Sequence, residues 1–191
     1  MRKGIAILIA LFCLSADWVR MPVFQEPNIS NSKIKAIFLY NFTKYINWPD
    51  KYKEGNFVIG ILGTSPFYND LNTLIHGRAD NEKEIKKDSK KKVGNQEFEI
   101  KNFLNIESIT GTCHILFIPA DHSADLPEVL KKMKGKSTLI VTEKAGLARQ
   151  GAAINFVIEN NKQRFELNKI NIEKYNLKVS STLEALAIKV E

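Results

Sequence analysis

The chain has little cysteine, no long apolar run and no recognisable nucleotide motif. Two cysteines in 191 residues exclude a disulfide scaffold, which packs many half-cystines into a short chain. Ten glycines and six prolines are ordinary globular usage, and 44% hydrophobic residues are too many for a disordered chain. No stretch reaches the roughly 20 apolar residues of a membrane-spanning helix. Neither GxGxxG nor a Walker lysine is present, and no internal repeat is visible. A chain of this length buries roughly 70% of its unfolded surface, so one domain can hold its own core.

What is present begins with an export signal. Met1-Arg2-Lys3 is basic, Ile5 to Leu14 is apolar, and Ser15 and Ala16 are small. This pattern reads as a cleaved secretory signal over residues 1–16, with an uncleaved anchor as the alternative. Phe12 before Cys13 argues against a lipobox. Cleavage would remove Arg2, Lys3 and Cys13, lowering the net charge of +7 by two and leaving Cys113 alone, so no internal disulfide could form. The lysines Lys83, Lys86, Lys87, Lys90, Lys91 and Lys92 crowd together without an aromatic among them. That is the pattern of a solvated loop and not of a nucleic-acid channel, whose bases need stacking platforms.

Residues 17–30 read as a tether and 31–191 as the domain. Ile34, Phe38, Phe42 and Tyr45 make one stripe of a helix, with Ser30, Asn31 or Ser32 as cap and Pro49 as stop. Phe57 to Leu62, His114 to Ile118 and Thr138 to Thr142 are apolar runs that suit strands covered on both faces. Phe98 to Lys101 is a shorter strand candidate. Helices over Pro66 to Ile75 and Leu126 to Lys134 alternate with them. Ala153 to Ile158 and Arg164 to Asn168 flank a hairpin turn, and a final helix places Leu183, Leu186, Ala187 and Val190 on one face behind a capping box at Ser181 to Glu184. The fold expected is a single three-layer α/β domain: a mainly parallel sheet, helices on both faces, and an antiparallel hairpin towards the C-terminus.

The chemistry on offer is sparse. Adjacent strand residues face opposite ways, so Cys113 and His114 do not form a nucleophile and base; Cys113 reads as a buried thiol. Asp121, His122 and Asp125 lack metal-ligand spacing and read as a polar loop capping the next helix. His76 beside Gly77 reads as a helix-terminus residue. Gly63, Thr64 and Ser65 leave a strand and enter a helix at Pro66, so their amides form either a tight turn or an anion site. Arg164, Glu166 and Asn168 alternate with Phe165 and Leu167, giving either a solvent-facing edge or a polar ligand row. Tyr40 and Trp48 are amphipathic aromatics that fit an interface or a core. No catalytic residues, metal ligands or cofactor are expected.

The runs Lys35 to Phe42 with Trp48-Pro49, Phe57 to Gly63 with Pro66-Phe67, Cys113 to Ile118, Gly151 with Ile154-Asn155-Phe156, Arg164 to Asn168, and Leu177, Ser180 and Leu183 together resemble the YfiR-like family, over about residues 33 to 190. The resemblance implies a small periplasmic α/β protein, often dimeric, that represses a membrane-bound diguanylate cyclase through the cyclase's periplasmic domain. Cyclic di-GMP output, adhesion and biofilm formation would follow from that control. It also implies an outer-membrane lipoprotein that sequesters the repressor. Relatives with internal disulfides tune this control by redox, which a single mature cysteine would not permit. The reading set beside it is a periplasmic small-molecule-binding sensor subunit reporting to a membrane receptor or histidine kinase.

Overall fold

A computed structural model describes residues 30–77 and 91–191. The export signal, residues 17–29 of the tether, Cys13 and Lys83, Lys86, Lys87 and Lys90 lie outside the described residues. Helix α1 spans Asn31–Tyr45, and the Ser30 hydroxyl closes its first turn by accepting from the Lys33 amide. The helix stops before Pro49 because Ile46–Asn47 turn extended as strand β1. This short strand later pairs antiparallel with β9, Lys178–Val179.

The main sheet begins with β2, Phe57–Leu62, in which every residue is buried. Helix α2, Phe67–His76, is followed by a hairpin of β3, Lys92–Val93, and β4, Gln96–Phe103. The expected short strand at Phe98 is thus eight residues long, extended at both ends by its pairing. Then come β5, Ile115–Ile118; α3, Leu126–Lys132; β6, Leu139–Thr142; β7, Ile154–Glu159; and β8, Lys162–Leu167. Asn160 and Asn161 both take left-handed φ, at 51° and 59°, which a two-residue hairpin turn requires. The chain ends through α4, Lys169–Lys174; β9; α5, Ser181–Leu186; and β10, Ile188–Lys189.

Two of these end elements depart from the sequence reading. The last helix does not continue to Val190: Ala187 is extended at φ −87° and ψ 155°, and Ile188–Lys189 pair parallel to β8. The open edge of β8 offers hydrogen bonds that compete with another helical turn, and Val190 N also bonds to Leu167 O. The cap is Ser180 and not Ser181, its hydroxyl accepting from the Leu183 amide.

The strand order is β10-β8-β7-β6-β5-β2-β4-β3, with β4, β2, β5, β6 and β7 mutually parallel and β7–β8 antiparallel. From β2 the chain crosses over to β4 on one side, whereas from β5 it crosses to β6 on the other. Since such crossovers are right-handed, α2 and α3 lie on opposite faces. Helix α1 shares the face of α2. Phe38 and Phe42 pack on Phe156 and Phe165, Phe67 on Phe117, and Phe117 reaches Phe156 at 6.3 Å between centroids, so one aromatic seam fills that side. The fold is therefore the expected layered α/β architecture.

Candidate functional site

The winding direction reverses between β2 and β5, and the carboxyl ends of the strands at such a reversal are the usual position of ligands in open α/β sheets. On the β2 side, Gly63 takes φ +73° and its amide bonds to Phe103 O at 2.7 Å, so it is engaged in the sheet margin. The Ser65 hydroxyl accepts from the Phe67 amide at 3.3 Å and thereby helps start α2, while Thr64 is exposed. On the β5 side, the 3-10 segment Ala120–Asp125 carries His122 over Gly63. Asp125 Oδ2 lies 2.8 Å from His122 Nδ1. With Nδ1–H donating to that carboxylate, Nε2 is the nitrogen facing Gly63. The loop expected to cap α3 instead pairs its histidine and aspartate beside the Gly63 turn.

A second polar brace stands further along the same edge. Glu143, just after β6, accepts from Lys35 Nζ at 2.6 Å and from the Ala120 amide at 2.9 Å, which ties α1 to the ends of β5 and β6. Next to it, Asn31, Lys35, Glu143, Phe156, Ile158 and Gln163 contribute to a cleft of about 330 Å³. Gln163 Nε2 donates to Val157 O and Arg164 O, both at 3.0 Å, while its buried Oε1 has no partner among the described residues.

The alternation in β8 places Arg164 and Glu166 opposite Val157 and Asn155 of β7, and Phe165 opposite Phe156. Thr142 Oγ1 donates to Asn155 Oδ1, and Asn155 Nδ2 donates to Glu166 Oε2, each at 2.8 Å. Thr142 and Asn155 are fully buried, so a hydrogen-bonded row runs inward from Glu166 across three strands. Sequence reasoning missed Thr142 and Asn155; the signal was Asn155 within an apolar strand run and Thr142 at the end of another. Arg164 sits at the rim, with Nη1 3.4 Å from Glu159 Oε2. Asn168 does not extend the row. It is buried, accepts from the Asn171 amide as the cap of α4, and donates to Ala148 O.

Trp48 is 7% exposed, stands edge-on to Phe57, and donates from its indole N–H to His114 O. Tyr40 is half-buried against Phe98, with Lys44 Nζ 4.4 Å above its ring. Trp48, Phe57, Thr43, Val93 and Gln96 contribute to a cleft of about 360 Å³ between the end of α1 and the β3–β4 hairpin. Beneath it, His114 stacks on Phe57, accepts from the Val58 amide at Nδ1 and donates from Nε2 to Tyr52 O. Both ring nitrogens are engaged, so the imidazole is held neutral, and burial pushes its pKa down. Cys113 is buried, with its thiol pKa pushed up to about 12 by the same cause.

The site residues expected from sequence therefore fall into four separate places: the Gly63–Ser65 turn after β2, Arg164 and Glu166 on β8, Asn168 at the buried cap of α4, and Tyr40 and Trp48 along and just beyond α1. Among the described residues no helix is long and apolar enough to cross a membrane. Compared with known protein families, residues 32–188 match the family described as YfiR/HmsC-like. A comparison with curated proteins gives no match.

Proposed function

The chain belongs to the YfiR/HmsC-like family, and on that basis we propose that it is a non-enzymatic periplasmic regulator that binds and represses a membrane-bound diguanylate cyclase. The observation that carries this reading is the extent of the match: it takes in nearly the whole described domain, from the first turn of α1 to β10. The family's regulatory character supports repression by contact, without chemistry. The basic, apolar start of the sequence supports export. Sequestration by an outer-membrane lipoprotein and a homodimeric state complete the arrangement that this reading implies.

Two surfaces are the contacts we assign to it. One is the surface at half-buried Tyr40 together with the mouth of the cleft that buried Trp48 lines from within. The other is the rim of β8 with Arg164 and Glu166, backed by the buried Asn155 and Thr142. A second reading, a solute-binding sensor subunit for a membrane receptor or histidine kinase, draws support from the cleft beside Gln163, because its buried acceptor has no partner among the described residues.

The test is capture of the tagged mature protein from detergent-solubilised membranes. Recovery of a diguanylate cyclase is the expected result. Recovery of a histidine kinase in its place would favour the second reading, and recovery of neither from membranes known to hold a cyclase would contradict the first.

A further inference from the structure

Among the described residues, positive charge gathers at a cleft outside the contacts assigned to repression. The C-terminal turns of α3 and α4 border a cleft of about 390 Å³ lined by Leu130, Lys131, Lys134, Gly135, Lys174 and Tyr175. Half of that lining is lysine and none of it is acidic. Lys131, Lys134 and Lys174 are exposed and form no ion pair among the described residues. Glu128 and Glu173 belong to the same two helices but are absent from the lining.

Tyr175 is the buried member, 4% exposed. Its hydroxyl has no hydrogen-bond partner among the described residues, and burial raises its pKa, so it remains a neutral O–H donor. The adjoining helix ends oppose an anion only weakly. Each carries at most about half a negative charge. Several of their last carbonyls are also already engaged: Val129 O and Lys131 O accept from Met133 and Lys134, and Ile172 O accepts from Tyr175 and Leu177. Three ammonium groups therefore leave a positive surplus of about two charges.

A carboxylate has one charge and two oxygens to offer such a site. A phosphate has more of both, enough to accept from several lysines and a phenol at once. We infer that the cleft between the ends of α3 and α4 binds a phosphate group, supplied either by free phosphate or by the phosphomonoester headgroup of phosphatidic acid. The inference is independent of the regulatory reading and stands or falls by direct binding.

The test titrates inorganic phosphate into the mature protein at low salt, following backbone amide shifts. In parallel, the protein is sedimented with vesicles of phosphatidylcholine alone or mixed with phosphatidic acid. Saturable shifts at Lys134, Gly135 and Tyr175 are expected. The Lys131→Met/Lys174→Met double variant should abolish them, and Tyr175→Phe should weaken binding about tenfold, with thermal melts unchanged. Co-sedimentation with phosphatidic acid vesicles that is lost in the double variant would identify the headgroup as a source; phosphate binding without co-sedimentation would identify the free ion. No saturable shift together with no co-sedimentation would overturn the proposal. Binding of either probe that survives both sets of substitutions would overturn it equally, because diffuse charge would then explain it.

Discussion

His122 stands on Gly63 so closely that a Cβ built on the glycine would lie 2.1 Å from the imidazole Nε2. Two constraints meet at one residue, since Gly63 also takes φ +73°, a conformation that side chains rarely adopt. Gly63→Ala should therefore destabilise the fold by about 1–3 kcal/mol, read as a lower midpoint in denaturant. Adding His122→Ala should recover the steric part and leave the backbone part. Full additivity of the two substitutions would show that the imidazole and the glycine do not share the space.

His114 makes stability depend on pH. Its folded pKa is pushed below the ordinary 6.5 by burial, so below pH 6.5 the unfolded chain takes up a proton that the folded chain resists. The contribution is full above that value and is lost progressively as pH falls towards the folded pKa. Protonation would also set an N–H at Nδ1 against the Val58 amide. The melting temperature should thus drop between neutral and mildly acid pH, and the drop should shrink in His114→Gln. An identical pH profile for the variant would assign the acid sensitivity to other groups.

Cys113 should be inert in the folded protein. With its thiol pKa pushed up to about 12 and its Sγ donating to Ile115 O, almost no thiolate is present or reachable at neutral pH. Labelling with a thiol reagent should be slow in buffer and rapid in denaturant. Rapid native labelling, or a disulfide-linked dimer on a non-reducing gel, would contradict this placement.

Arg164 and Asn168 should separate signalling from stability. The Arg164–Glu159 pair is surface-exposed, 43% and 46% for the two side chains, so Arg164→Ala should change stability by no more than about 1 kcal/mol. We expect it to alter repression, read as cyclic di-GMP in cells. Asn168→Ala removes the cap of α4 and a bond to Ala148 O, and should cost about 1–2 kcal/mol. A large drop in the Arg164→Ala melt would make that residue structural, and unchanged signalling with an intact fold would remove it from the contact surface.

How legible these features were depends on where each residue's partners lie. The parallel strands show in the sequence because both faces are covered: all six residues of Phe57–Leu62 and all four of Ile115–Ile118 are buried, leaving unbroken apolar runs. The six-residue α4 covers fewer than two helical turns and the two-residue β10 a single alternation, too little to set a pattern, and only the waiting edge of β8 decides that Ile188 is strand. At the sites, the alternation in β8 correctly separated Arg164 and Glu166 from Phe165. It could not show that Asn168 turns inward as a cap, nor that Glu166 leads through Asn155 to Thr142, since those contacts join strands that sequence spacing does not relate. The seat of His122 on Gly63 belongs to the same class, because it exists only once β2 and β5 are neighbours.

The most direct test of repression is the cyclic di-GMP content of cells lacking this protein, compared with wild type and with a strain carrying an added copy. Repression predicts a rise on deletion and a return to the wild-type level or below on complementation, both dependent on an intact membrane-bound diguanylate cyclase. Unchanged cyclic di-GMP across the three strains, with the protein shown to be exported and folded, would contradict it.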